Sequence, residues 1–119
     1  MFVKRVAECP EFIAGDDTRL REILHPTNDP VQIGYSIASA RLAIGEASTP
    51  HRLRSSETYY VLQGKAKFYI DDDIQEAGKD TVVYVPANAL QFVENISSEE
   101  LVVLCIVEPF WKASDESTL

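Results

Sequence analysis

The apolar segments of this chain are short and are separated by turn-forming residues, and this pattern restricts the fold more than any other feature. No stretch keeps a helical period over several turns, whereas the segments have the alternation or the β-branched and aromatic composition of strands. Seven such segments occur at residues 35–44, 57–63, 65–70, 74–77, 81–85, 90–95 and 101–107. Closely spaced short strands of this kind predict an all-β fold, an antiparallel sandwich or barrel.

Two of the segments indicate how the strands are buried. In residues 65–70, the side chains of Ala66, Phe68 and Ile70 fall on one face, as expected for a half-buried strand. Residues 101–107 are continuously apolar, and we expect that strand to be buried on both faces.

The length of 119 residues fits a single domain. We expect residues 35–110 to form the barrel, residues 1–34 to pack on it and residues 111–119 to form a C-terminal tail. Within the N-terminal part, residues 18–24 fit either a short helix or a strand, and the two prolines of residues 25–30 exclude a continuing helix. The tail fits a short helical turn or a loose end.

The acidic excess of the chain argues against two classes of partner. Eleven basic and 19 acidic residues give a net charge of −8, whereas nucleic acids and anionic membranes both require a basic face. The N-terminus has no apolar run of signal-peptide length, and no segment approaches the length of a membrane span. The two cysteines, Cys9 and Cys105, suit a reducing compartment. We therefore expect a cytoplasmic protein that binds neither nucleic acid nor membranes.

The candidate functional residues cluster in residues 45–64. His51 and Glu57 are six positions apart, so on an unbroken strand their side chains share one face. An imidazole and a carboxylate on one surface are what a metal site or an acid–base pair needs. Tyr59 has the same parity as Glu57, and we expect its hydroxyl to point into the same interior. A bulge or turn at the Ser-Ser pair before Glu57 would interrupt this alternation.

The same stretch resembles the first sequence motif of the cupin superfamily, G-x5-H-x-H-x3-E-x6-G. Gly45, His51, Glu57 and Gly64 stand at four of its five fixed positions, and Leu53 stands where the second histidine belongs. In cupins, the histidines and the glutamate of this motif are metal ligands.

A later stretch resembles the second cupin motif, which ends P-x-G-x-x-H-x-x-x-N. Pro86 and Asn95 match, whereas Asn88 takes the place of the glycine and Gln91 that of the histidine. Asp80 stands six residues before Pro86, where the motif opens with another glycine. Asparagine and aspartate tolerate left-handed backbone angles well, so we expect both turns to survive these replacements.

The resemblance covers about residues 35–108 and implies a cupin jelly-roll barrel, also called a double-stranded β-helix. The chain is further similar to a subgroup of small cupins in which glutamine consistently replaces the histidine of the second motif. Small cupins usually pair through sheet edges and faces, so the resemblance also implies a homodimer.

A divalent metal ion is the cofactor that the resemblance implies. Cupins generally hold it through three histidines and one glutamate. Transferred by position, His51, Glu57 and Gln91 are the expected ligands, and His25 is a candidate for the missing one. This oxygen-rich set favours harder ions such as Mn²⁺, Fe²⁺ or Zn²⁺ over Cu, and Ni is a further candidate.

Two functions follow from the resemblance. In the first, the chain is a metal-dependent enzyme that acts on a small polar metabolite by isomerase, lyase or dioxygenase chemistry, with Glu57 or Tyr59 moving a proton. In the second, it is a non-catalytic module that binds a sugar or another metabolite, and the metal is structural or absent. A storage or scaffold role leaves the inward polar residues unexplained.

Overall fold

Two antiparallel β-sheets face each other and enclose a common interior. The computed structural model describes residues 1–118, and Leu119, the last residue of the expected tail, lies outside the described residues. In chain order the strands are β1 (Glu11–Ile13), β2 (Arg19–Leu24), β3 (Ser36–Leu42), β4 (His51–Leu53), β5 (Ser56–Gln63), β6 (Ala66–Ile70), β7 (Asp73–Ala77), β8 (Val82–Val85), β9 (Leu90–Asn95), β10 (Leu101–Glu108) and β11 (Glu116–Thr118). The prediction of an all-β antiparallel fold is confirmed.

The first sheet contains six strands in the order β1-β2-β3-β10-β5-β8, and the second contains five in the order β11-β4-β9-β6-β7. From β3 to β11 consecutive strands lie in opposite sheets, except for the hairpin of β6 and β7 within the second sheet, and this is the connectivity of a jelly roll. Each of the seven predicted segments coincides with an observed strand to within two residues at either end. Turn residues and alternation therefore locate these strands well.

The core lies between the inner faces of the two sheets. From the first sheet it receives Val61 and Val103, and from the second it receives Phe68 and Val93, all buried. The central strand β10 alternates between buried inner residues and half-buried outer ones, such as Leu104. The expected burial of this strand on both faces is therefore correct only for the inner face, because the outer face of the sheet is partly open to solvent.

The N-terminal segment adds two strands to the first sheet. Residues 18–24 contain the whole of β2, so the strand alternative is confirmed; β2 pairs with β3, and β1 then forms the edge of the sheet. At the other end of the chain, a short 3-10 turn at Ala113–Asp115 leads into β11, which pairs with β4 in the second sheet. Both ends of the chain thus extend the sheets that form the barrel.

The turns that replace motif glycines have the expected backbone. Asp80 has a φ of 61° and Asn88 a φ of 68°, both in the left-handed region. Gly64, a retained motif glycine, has a φ of 86°, and a Cβ there would lie 3.2 Å from the Cα of Leu101. The prediction that Asp and Asn preserve the two turns is confirmed.

No helix within residues 1–118 has the length and apolar character needed to cross a membrane.

Candidate functional site

A cavity of about 160 Å³ lies between the two sheets. Much of its wall is apolar and includes Leu20, Leu42, Leu53 and Val103. Titratable side chains also line it, and four of them are called the polar cluster: Asp16, His51, Glu57 and Glu116. The interior is therefore an apolar chamber with one acidic region, the usual composition of a small-molecule site.

His51 lies at the centre of the polar cluster. It begins β4, faces Gln91 across the sheet and is only 2% exposed. Its Nδ1–H donates to the carbonyl oxygen of Thr49 at 2.8 Å, so the other ring nitrogen is the one that faces the cluster. Nε2 lies 4.0 Å from Oδ2 of Asp16 and 3.9 Å from Oε1 of Glu116.

The loop between β1 and β2 brings Asp16 to this position. Its carbonyl oxygen accepts a hydrogen bond of 2.7 Å from the backbone N–H of Thr49, two residues before His51. Its side-chain Oδ1 accepts from both the N–H and the hydroxyl of Thr18, at 3.2 and 2.7 Å. One carboxylate oxygen is thereby fixed, and the other is left to face the imidazole.

Glu116 reaches the cluster from the opposite end of the chain. It opens β11, whose Thr118 is the cross-strand partner of His51. Gly15 leaves room for this carboxylate, since a Cβ there would lie 2.9 Å from Oε2 of Glu116. Burial raises the pKa of the Glu116 carboxyl, and the charge of His51 opposes this rise. Neither Glu116 nor Asp16 is predicted from the sequence, because both lie in terminal segments outside the two motifs.

Glu57 approaches the cavity from the first sheet, on β5, and is 7% exposed. Burial raises the pKa of its carboxyl to about 7. The charge of His51 lowers the pKa, whereas the charge of Asp16 raises it. A carboxyl group with this pKa exchanges a proton readily near neutral pH.

The parity of the sequence would place His51 and Glu57 on one face only if the strand were unbroken, and the structure does not meet that condition. The chain leaves the second sheet after Leu53 and enters the first sheet at Ser56, at the Ser-Ser pair where a bulge or turn is expected. His51 on β4 and Glu57 on β5 therefore face the cavity from opposite sheets.

Tyr59 and Gln91 connect the two sheets at the same level. The Tyr59 hydroxyl donates to Oε1 of Gln91 at 2.6 Å, and both side chains are buried. Burial, followed by the nearby Glu57 charge, raises the pKa of Tyr59 well above its ordinary value. The hydroxyl therefore stays protonated near neutral pH and serves as a hydrogen-bond donor. The catalytic role expected for Tyr59 stays a prediction.

His25, the candidate fourth ligand, lines the cavity at the end of β2 but has both ring nitrogens occupied. Its Nδ1 accepts from the backbone N–H of Thr27 at 3.1 Å, so Nε2 carries the proton that is donated to the carbonyl oxygen of Trp111 at 2.8 Å. The ring also packs edge-on against Phe110. Metal ligation by His25 would require one of these hydrogen bonds to break.

The donor set does not fit the three-histidine, one-glutamate site that the resemblance implies. At the second histidine position Leu53 places a buried apolar side chain in the cavity wall. The amide oxygen of Gln91 accepts the Tyr59 hydroxyl. Within residues 1–118, no group of three or more His, Cys, Asp or Glu side chains has an arrangement that could hold a metal ion.

Comparison with solved structures shows the same barrel in several enzymes. A variant of Bacillus subtilis oxalate decarboxylase superposes with a TM-score of 0.83 at 23% identity, over 97% of this chain and 31% of that one. The Streptomyces nucleoside dehydratase Pac13 gives a TM-score of 0.79 at 22% identity, over 100% of this chain and 91% of that one. The polyketide cyclase RemF of Streptomyces resistomycificus gives 0.76 at 13% identity, over 97% and 89%. At these identities the likeness shows the fold alone.

Comparison of sequences identifies the family. An uncharacterised protein of Methanocaldococcus jannaschii is 30% identical over 109 residues, which cover 91% of this chain and 86% of that protein. The Cupin domain family model matches residues 38–107. This range includes both motifs, from Gly45 of the first to Asn95 of the second. The chain therefore belongs to the cupin family, as a small barrel of the Cupin domain type.

Proposed function

We propose that this cupin binds a small metabolite in its interior cavity and transfers protons on it, with Glu57 and His51 as the two proton-carrying groups. The observation that carries this proposal is their convergence on one cavity from opposite sheets. A substrate between them would present different sides to a carboxyl and an imidazole, and paired proton transfer requires this arrangement.

The elimination of water is a reaction that such a pair can perform. The Glu57 carboxylate takes a proton from a substrate carbon, and the electron pair of that C–H bond forms the new double bond. The protonated His51 ring gives its Nε2 proton to the departing hydroxyl, which leaves as water. Proton return from Glu57 to His51 through solvent then restores the starting state. An isomerisation uses the same two groups, with the proton delivered back to a neighbouring carbon.

Three observations support acid–base chemistry of this kind. The Glu57 carboxyl has a pKa of about 7, so both of its protonation states are available near neutral pH. One protein that shares the barrel, Pac13, is named a nucleoside dehydratase, and a dehydration needs an acid and a base. The buried Tyr59 hydroxyl, which donates to Gln91, would hold the second sheet in place against Glu57.

Solvent isotope exchange tests this proposal with a mixture of candidate substrates. The protein is incubated in D₂O with many small metabolites, and mass spectrometry detects loss of water or gain of deuterium. We expect at least one metabolite to change with the wild-type protein and not with Glu57→Gln, which keeps the shape of the side chain. Glu99→Gln, an exposed position away from the cavity, serves as the matched control. Equal conversion by Glu57→Gln and the wild type would refute the role of Glu57.

A metal-dependent form of this function is the second candidate, and the free Nε2 of His51 is the observation that favours it. The ligand set of His51, Glu57 and Gln91 would then bind one divalent ion. Elemental analysis after purification with Mn²⁺, Fe²⁺, Zn²⁺ or Ni²⁺ present separates the two candidates. We expect substoichiometric metal in both the wild type and His51→Ala. One metal ion per chain in the wild type, lost in His51→Ala, would favour the metal-dependent form.

A purely binding module is the third candidate, because the cavity wall is largely apolar and suits ligand retention as well as catalysis. A metabolite that binds tightly without any isotope exchange would favour it. The same mixture, analysed for molecules that remain bound after gel filtration, provides this comparison.

A further inference from the structure

We propose that the ligand of the cavity is a small amphiphilic cation, that is, a ring or short hydrocarbon chain bearing an ammonium group that contacts Asp16 and Glu116. This inference rests on the proposed function only in taking the cavity as the binding site. It concerns the class of ligand, which the proton-transfer proposal leaves open.

The polar cluster offers hydrogen-bond acceptors to a ligand. The side chains of Asp16, Glu57 and Glu116 accept hydrogen bonds in their ionised forms and cannot donate them. The Nδ1 proton of His51 is donated to Thr49, so Nε2 accepts in the neutral ring and donates only in the protonated ring that the proposed reaction uses. Oxygen atoms of Asp16 and Glu116 lie within 4.0 Å of this nitrogen, on the cavity side of the second sheet.

The arginine of the cavity lining is already paired. It is Arg41, whose guanidinium donates to Glu11 at 2.6 Å and to Glu100 at 2.7 Å. Neither of these carboxylates belongs to the polar cluster. Across the described lining, no other lysine or arginine is present to balance the carboxylates.

Three further donors of the lining are directed at protein groups. They are the Thr18 hydroxyl on Asp16, the Tyr59 hydroxyl on Gln91 and the His25 ring on the Trp111 carbonyl. The Ser36 hydroxyl and the Trp111 indole are neutral donors of the lining, so a ligand with a carboxylate or phosphate would find no unpaired lysine or arginine among the described lining residues. It would also meet like charges at short range in a partly buried site, which is unfavourable.

An ammonium group suits the same surface for the converse reason. It has three donors and a positive charge, and charge-assisted hydrogen bonds to carboxylates are among the strongest in proteins. Placed beside Asp16 and Glu116, it would bind Oδ2 of Asp16 and Oε1 of Glu116, the two oxygen atoms that face the imidazole edge. Both are reached from terminal segments, so they can adjust to the ligand more readily than groups on central strands.

The remaining surface sets the size and character of the rest of the ligand. Leu20, Leu42, Leu53 and Val103 form apolar wall that favours hydrocarbon. The volume of about 160 Å³ is close to that of engineered protein cavities of about 150 Å³ that bind benzene. One ring or a chain of about six carbons therefore fills it.

Three probes of nearly equal shape test the proposal: benzylamine, benzyl alcohol and benzoate. Their affinities are measured by titration calorimetry with the full-length wild-type protein at pH 7. We expect benzylamine to bind about tenfold to hundredfold more tightly than benzyl alcohol, because its donors are charge-assisted, and benzoate to bind most weakly. In Glu116→Gln and in Asp16→Asn, the preference for benzylamine falls while the affinity for benzyl alcohol stays. Glu99→Gln, which is remote from the cavity, keeps the wild-type preference.

The outcomes separate this inference from the proposed function. Equal binding of the amine and the alcohol, or an unchanged preference in both Glu116→Gln and Asp16→Asn, overturns the cationic ligand class and leaves proton transfer by Glu57 standing. A preference for benzoate overturns it as well. Binding of none of the three probes also overturns the cationic ligand class, whereas proton transfer by Glu57 is decided by the isotope-exchange experiment. The wild-type comparison needs no variant, so it holds even if one substitution impairs folding.

Discussion

The central strands of the barrel and the two terminal segments contribute different kinds of group to one cavity. The strands supply His51, Glu57 and the cross-sheet pair of Tyr59 and Gln91, each fixed by strand register and by burial. The terminal segments supply Asp16 and Glu116.

These two sources also differ in how firmly the chain holds them. The strand β5, which carries Glu57 and Tyr59, has eight residues and pairs on both sides, whereas β11 has three residues and pairs with β4 alone. We infer that the strands position the reacting groups, and that the terminal segments set which ligand is accepted. The following predictions test this division, from the largest expected effect to the smallest.

The first prediction contrasts the stability of the two regions. Phe68 on β6 is 2% exposed and packs against Tyr59, whereas Phe12 on β1 is 49% exposed. We expect Phe68→Ala to lower the free energy of unfolding by about 3–5 kcal/mol, since it leaves a cavity in the core. Phe12→Ala is expected to cost less than about 1 kcal/mol. Urea denaturation followed by circular dichroism measures both. Similar losses in the two variants would show that the terminal strand is as integral to the core as the barrel.

The second prediction concerns the pH dependence that Glu57 confers. Its carboxyl has a pKa of about 7 in the folded protein and 4.5 as the reference value, so the folded state binds this proton more tightly. The resulting stabilisation is complete below pH 4.5 and is lost as the pH rises to 7. The difference corresponds to about 3 kcal/mol.

Glu57→Gln cannot lose this proton, and it should therefore be more stable than the wild type at pH 8 by about 3 kcal/mol and nearly equal to it at pH 4. Denaturant titrations at the two pH values give the difference directly. Glu99→Gln controls for the removal of one negative charge. An advantage for Glu57→Gln that is the same at both pH values would mean that the carboxyl does not titrate in this range.

A third prediction addresses the bond that joins the two sheets. Tyr59→Phe removes the hydroxyl that donates to Gln91 and leaves a buried amide oxygen without this donor. We expect a loss of about 1–3 kcal/mol in the free energy of unfolding. Tyr60→Phe removes an exposed hydrogen bond to Asp80 and is expected to cost less than about 0.5 kcal/mol. Thermal unfolding of the two variants provides the comparison, and equal costs would argue against a structural role for the buried bond.

The division between barrel strands and terminal segments also explains which parts of the structure could be predicted from the sequence. The strands follow from local signals, namely alternation and turn residues, and the left-handed angles of Asp80 and Asn88 follow from residue type at motif positions. His51 and Glu57 are found by motif spacing, although they converge from two sheets and not along one strand.

Asp16 and Glu116 carry no comparable signal. Their approach to His51 depends on a loop and a three-residue edge strand, from opposite ends of the chain, reaching the same place. Neither residue belongs to a recognisable motif, and long-range pairing of this kind cannot be inferred from local pattern. Asp16 and Glu116, the residues that we assign to ligand choice, are thus the residues of the site that could not be predicted from the sequence.

The last prediction concerns Gly15, where a substitution should change stability little but should alter the terminal part of the site. A Cβ there would lie 2.9 Å from Oε2 of Glu116, so Gly15→Ala should displace that carboxylate from His51. Gly34→Ala is the matched control, because a Cβ at Gly34 meets nothing within 4 Å. We expect each substitution to change the free energy of unfolding by less than about 1 kcal/mol.

The two variants should nevertheless differ at the site. In Gly15→Ala the proton resonances of the His51 ring should shift and the preference for benzylamine over benzyl alcohol should fall, while Gly34→Ala retains both wild-type values. The Glu116 end of β11 is held by one neighbouring strand, so the new methyl group moves the carboxylate and leaves the barrel unchanged. An unshifted His51 spectrum together with an unchanged preference would mean that the position of Glu116 does not govern the ligand, and the proposed division between strands and terminal segments would fail.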